Sequence, residues 1–210
     1  MSYEERPDRA LRFGDVVEGF VLSASRIDDP PMRLAESGRY QIEVERPRYC
    51  AVMTPCCSLR SGCVAMSPLQ EVLSTFFENP CFEQDLTRIN RLVRPQDALP
   101  PERWRRVSPE EQQRRLEIGP AYTLQNYFIF APHDLLPPYT VSRRDGKTVK
   151  TNAYMVDFHR IHRVQCKKVT RPEEEALLAT KVLQLSVEAR SELRDKLTWF
   201  FGRIPDEDDV

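Results

Sequence analysis

Seventeen prolines against seven glycines constrain this chain of 210 residues more than any other feature. A proline fixes its own φ, has no N–H to give to a helix or ladder, and biases the residue before it toward extended backbone. Short elements joined by proline-rich connections are therefore expected. A hydrophobic fraction of 40% and a charged fraction of 30% are ordinary for a globular chain. At this length about two thirds of the unfolded surface can be buried without disulfides.

The segment Ser2-Tyr3-Glu4-Glu5-Arg6-Pro7 is charged from the start. No apolar run approaches the ~18 residues that cross a bilayer. A soluble, cytoplasmic protein with no membrane partner is expected, and its six cysteines then read as thiols or metal ligands rather than as a disulfide framework. The net charge of −1 gives no whole-molecule attraction to nucleic acid or anionic lipid. Local basic clusters exist at Arg103, Arg105 and Arg106, at Arg114 and Arg115, at Arg143, Arg144, Lys147 and Lys150, and at Arg160, Arg163, Lys167 and Lys168. Part of the balancing negative charge sits in Asp206-Glu207-Asp208-Asp209.

Residues 1–12 read as a disordered arm and 204–210 as an acidic tail. Between them a single domain, 13–203, is expected, with an inserted, largely surface helical subregion at about 69–120. Phe13 to Leu22 reads as a first strand, and Tyr40-Gln41-Ile42-Glu43-Val44-Glu45 alternates as a half-buried strand does. Tyr49 to Thr54 and Cys63 to Ser67 are apolar nearly throughout and read as central strands. Leu69, Val72, Leu73, Phe76 and Phe77 fall at helical spacing. Strand patterning returns at Asn126 to Phe130, at Thr140-Val141 before an Asp145-Gly146 turn, and at Ala153 to Phe158. Ser186 is placed to cap a last helix with Leu193, Leu197, Phe200 and Phe201 on one stripe, and with Arg190, Arg194 and Lys196 on other faces. The expected fold class is α+β: a small, strongly bent or barrel-like antiparallel sheet of about five to seven strands, a helical insertion and a packed C-terminal helix.

This order resembles that of the PemK/MazF toxin family of small SH3-like barrels. Gly14-Asp15-Val16-Val17 is similar to the family's opening, Arg48 to Thr54 to its arginine-led strand, Val64-Ala65-Met66-Ser67 to its strand ending in a hydroxyl residue, and Met155 to Ile161 to its aspartate-led strand. The likeness covers about half the chain and skips 70–125. A nearer likeness is to bacterial proteins of mobile elements or phage-defence loci that carry a cysteine-aspartate turn and close on an aromatic-rich helix. Here Ser58 of Thr54-Pro55-Cys56-Cys57-Ser58 stands in place of the aspartate. The toxin resemblance implies metal-independent RNA cleavage with Arg48 and Ser67 as catalytic arginine and hydroxyl, in the setting of toxin–antitoxin systems. A cation would stabilise charge on the phosphate oxygens, and a neighbouring group would help move the 2′-hydroxyl proton.

Binding without catalysis is the other reading. Arg143, Arg144, Lys147, Lys150, Arg160 and Arg163, close in sequence across one expected hairpin, would contact phosphates of RNA or DNA, with Tyr139 and Tyr154 to stack on unpaired bases. A protein partner is expected as well, Trp199-Phe200-Phe201 being wide enough to present a ring. Cys50, Cys56, Cys57, Cys63 and Cys81 crowd one region without a Cys-x-x-Cys pair. A zinc site would need Cys56 or Cys57 with Cys81 and a histidine; the expectation is no metal, with Cys50 and Cys63 inward as small hydrophobes. His159 and His162 read as solvated, and so does His133-Asp134 in its proline-rich loop, where Asp134 could orient an imidazole but no nucleophile is identified for it to serve. Phosphate-binding loops, dinucleotide fingerprints, hydrolase elbows and zincin motifs are absent from the sequence, so no cofactor is expected. Non-catalytic binding is the favoured reading, and ribonuclease activity is the alternative.

Overall fold

The computed structural model describes residues 2–7, 11–29, 39–55, 63–165 and 180–202. In chain order its strands are β1 (Val16–Glu18), β2 (Leu22–Asp29), β3 (Arg39–Glu45), β4 (Tyr49–Val52), β5 (Cys63–Pro68), β6 (Gln70–Glu71), β7 (Tyr127–Phe130), β8 (Tyr139–Ser142), β9 (Thr148–Thr151), β10 (Tyr154–Asp157), β11 (His162–Gln165) and β12 (Lys181–Leu183). Its helices are α1 (Pro80–Gln84), α2 (Pro95–Ala98), α3 (Pro101–Trp104), α4 (Pro109–Ile118) and α5 (Val187–Gly202), with 3₁₀ turns at Ser74–Glu78 and Leu86–Asn90. The class is α+β, and proline opens each of α1 to α4 at its first turn, where its missing N–H costs nothing. No described helix is long and apolar enough to cross a membrane.

The chain groups into two compact units. The first is Arg6–Leu69 with Arg160–Gln184, the second Met1–Glu5 with Gln70–His159 and Leu185–Val210. The acidic tail lies outside the described residues.

In the first unit an antiparallel sheet runs β11-β5-β4-β1-β12, and β2 pairs with β3 as a separate ribbon. Among the described residues no sheet closes on itself. The run Phe13 to Leu22, expected as one strand, breaks at Gly19, whose φ of 81° is a conformation L side chains rarely adopt. Val17, Leu22, Cys50, Val52, Val64 and Met66 form the core. Beside it Asp15 and Lys181 make a buried ion pair of 2.8 Å. Asp15 also accepts from the Arg12 N–H at 2.8 Å, and Lys181 donates to Gln184 at 2.6 Å, so both charges are hydrogen-bonded where water does not reach.

In the second unit a sheet runs β6-β10-β7, and β8-β9 is a hairpin. The helix expected over Leu69 to Phe77 is absent: Gln70–Glu71 pairs with β10, and the Val72 N–H donates to the Tyr139 hydroxyl at 2.7 Å. The apolar spacing is instead that of a strand followed by a 3₁₀ turn. Nor is the inserted region mainly surface, because Phe76, Phe77, Phe82, Leu86 and Ile89 pack with Ile129 and Met155. Within it α2, α3 and α4 meet that expectation, burying none of their residues. Buried Asn90 completes the edge of β7, donating to the Ile129 carbonyl at 2.8 Å and accepting from the Ile129 N–H at 2.7 Å.

The first residues of the expected arm are held in this unit. Tyr3 bridges to Leu185, and its hydroxyl donates to the Ala131 carbonyl at 2.6 Å. Ser186 caps α5 by accepting from the Ala189 N–H at 3.2 Å, as expected. The helix is rotated from the expected face: Ala189, Leu193 and Lys196 are its buried residues, while Leu197 and Phe200 are half-buried.

Candidate functional site

Each residue implied by the toxin resemblance occupies a definite place, but the pair does not share a surface. Ser67 lies in β5, fully buried and opposite Ala51 of β4. Arg48 precedes β4, is exposed and stacks its guanidinium over the Tyr49 ring at 5.3 Å from the centroid. Three residues of extended chain separate Arg48 from Ala51, roughly 10 Å at the rise of a strand. A hydroxyl with no accessible surface cannot touch a substrate held by that arginine.

The basic residues do not lie across one hairpin. Arg143, Arg144, Lys147 and Lys150 belong to β8–β9 and its turn, whereas Arg160 and Arg163 belong to the other unit around β11. The hairpin closes where expected, with the Arg143 N–H bonded to the Lys147 carbonyl at 2.8 Å and Gly146 at φ 80°. Arg143 is mostly buried, bonded to Glu83 and 3.6 Å from Asp145. Arg144 pairs with Glu78 at 3.1 Å and Lys147 with Asp145 at 3.7 Å, both cations remaining about three-quarters exposed. Lys150 is exposed and has no ion-pair partner among the described residues. Arg160 pairs with Glu45 at 2.5 Å, and Arg163 donates to Cys63 Sγ at 2.9 Å.

The tyrosines expected to stack on bases are engaged internally. Tyr139 and Tyr154 meet edge to face at 5.3 Å. The Tyr139 hydroxyl donates to the Ala153 carbonyl at 2.5 Å, and burial pushes its pKa up to about 12. Tyr154 donates to the Pro137 carbonyl at 3.0 Å.

Cys50 is buried, and burial, with Glu45 adding to it, pushes its thiol up to about 12; such a thiol is not a nucleophile at neutral pH. Cys63, expected inward, is half-buried. Cys81 is half-buried and accepts from Arg88 at 3.1 Å. Cys56 and Cys57 lie outside the described residues, among which no group of three His, Cys, Asp or Glu side chains is placed to hold a metal. The carboxylate that meets an imidazole is Asp157, 3.0 Å from His159 Nδ1, with the Asn126 amide 3.2 Å from Asp157. Phe200 lies edge-on to that ring at 5.0 Å. Among the described residues no hydroxyl or thiol hydrogen-bonds to His159.

One constellation the sequence reading missed is a cavity of about 290 Å³ beside the hairpin turn. Phe76, Phe82 and Leu99 give it apolar walls, and Arg103, Arg144 and Thr123 also line it. It joins residues from the inserted region, the loop before β7 and the β8–β9 turn. The signals were Arg103 within its basic cluster and the pair Pro100-Pro101, which fixes the approach to α3. Periodicity could not show that these segments meet.

No protein-family model matches the chain, and comparison with curated proteins and with solved structures likewise found no match.

Proposed function

We propose that this protein is a non-catalytic binding component that holds RNA or DNA through the β8–β9 hairpin. The setting suggested by the sequence resemblance is a bacterial defence or mobile-element system. The observation that carries the binding reading is the hairpin's row of solvent-facing cations, Arg144, Lys147 and Lys150. The Lys147–Asp145 pair stays largely exposed; such a pair contributes little, about 0–1 kcal/mol, so a phosphate can replace that carboxylate and release counterions.

The endonuclease alternative needs a strongly bent, barrel-like sheet with Arg48 and Ser67 converging on one groove. The burial of Ser67 favours binding over cleavage. A protein partner is supported by a separate feature, the β3 residues Ile42 and Val44, 76% and 62% exposed at alternate positions. Among the described residues β3 pairs with β2 alone, which leaves an edge able to accept another strand.

The test is binding of single-stranded and structured RNA and of DNA, without metal, over a range of salt. Changing Lys147 and Lys150 together to Gln is expected to reduce the slope of log affinity on log salt by about 2. RNA cleavage that vanishes in Arg48→Ala would overturn the reading in favour of the nuclease.

A further inference from the structure

We propose that the cavity beside the β8–β9 turn receives one unpaired base of a bound strand, so that the protein selects single-stranded over duplex nucleic acid. This rests on the nucleic-acid reading above and extends it from phosphate contact to the chemistry of the nucleotide. Arg144 connects the two, since it belongs to the cationic turn and also lines the cavity. A strand whose phosphates follow the hairpin therefore passes the opening.

The cavity's composition matches a nucleotide in three respects. Its volume of about 290 Å³ lies at the small end of ligand sites, which run from about 300 to 1,000 Å³. Its floor is Phe76 and Phe82, both buried in the core, which offers a flat aromatic ring an apolar bed. Arg144 pairs with Glu78 on the lining at 3.1 Å.

The charges complete the match. Arg103 has no ion-pair partner among the described residues and is exposed. With Arg144 it sets two guanidiniums against the one carboxylate of Glu78, leaving one positive charge for a phosphate. A simple carboxylate ligand would satisfy a guanidinium but would repel Glu78 and leave the apolar floor uncovered. A paired base inside a duplex cannot enter, because its edge is engaged and its faces are stacked.

The experiment uses the full chain and strands of about ten nucleotides, a common site size, made as RNA and as DNA. Each is compared with the same strand lacking its bases and with the duplex. The native protein is expected to bind the strand with bases about tenfold more tightly than the strand without, as one base held on an aromatic floor provides. Thr75→Trp, at an exposed residue of the lining, fills the cavity without touching the core and is expected to bring that ratio close to one while leaving the salt slope unchanged. Salt-sensitive binding with no dependence on bases, or a ratio that survives Thr75→Trp, overturns this inference and leaves the hairpin reading standing. No binding to any strand overturns both.

Discussion

Lys196 sits on the buried face of α5 with Ala189 and Leu193, its ammonium bonded to the Ile89 carbonyl and 5.2 Å over the Tyr122 ring. No carboxylate pairs with it among the described residues, and burial pushes its pKa from 10.5 down to about 7. Below about pH 7 folded and unfolded chains both hold this proton, and above about 10.5 neither does. Between those values only the unfolded chain binds it, so stability must rise with pH across that window. Cys50 and Tyr139, whose folded values are raised, act oppositely above their ordinary values of 9.0 and 10.0. The clean comparison is therefore pH 7 to 9. There the unfolding free energy of the native chain, minus that of Lys196→Met, is expected to climb by up to about 1.4 kcal/mol per pH unit, measured by denaturant titration; a flat difference would refute the buried charge. None of this was legible in the sequence, because a lysine three positions after Leu193 reads as the start of a wet face. Asp15 is a related case. It was read through Gly14-Asp15-Val16-Val17 as a family opening, and in the fold it is half of a buried ion pair with a residue far along the chain.

At the scale of elements, the strands that carry strong local pattern were legible. Tyr40 to Glu45, Tyr49 to Val52, Cys63 to Ser67, Tyr127 to Phe130 and Tyr154 to Asp157 are read from alternation or from continuous apolar runs, and Asp145-Gly146 marks the β8–β9 turn. Two kinds of element escaped. β11 and β12 are short, of four and three residues, and they exist because β5 and β1 offer unpaired edges to them, a tertiary cause with no local signature. The stretch from Leu69 to Phe77 has helical spacing but is held as a strand and a 3₁₀ turn by hydrogen bonds from distant residues. The alternation of β3 also misled in one respect: it predicts a buried face, yet Ile42 and Val44 are exposed. For α5 the apolar stripe was found but turned by about one position. The two readings differ in energetics. Leu193→Ala is expected to cost about 2–5 kcal/mol, as a fully buried leucine does, and Leu197→Ala clearly less, by chemical or thermal denaturation. Equal costs would restore the stripe expected from sequence.

For the whole molecule, the class α+β was legible. Composition and length carry no sign of the grouping into two units, between which the chain passes after Glu5, Leu69, His159 and Gln184. The candidate site shows the same limit: its charged residues stand out in the sequence, but the cavity is assembled from segments whose meeting no local pattern records. Residues 6–69 expressed alone are expected to remain unfolded, without dispersed amide resonances, since β5 would lack β11 and β1 would lack β12; a dispersed spectrum would refute the interdependence. The pairing of β1 with β12 has a further consequence during synthesis. Val16 leaves the ribosome long before Leu183, its partner in the sheet, so until β12 emerges the nascent chain carries Val17, Cys50, Val52 and Val64 without the strand that closes their sheet. Folding of this unit thereby waits for β12, and the growing chain depends until then on whatever shields its apolar strands from other chains.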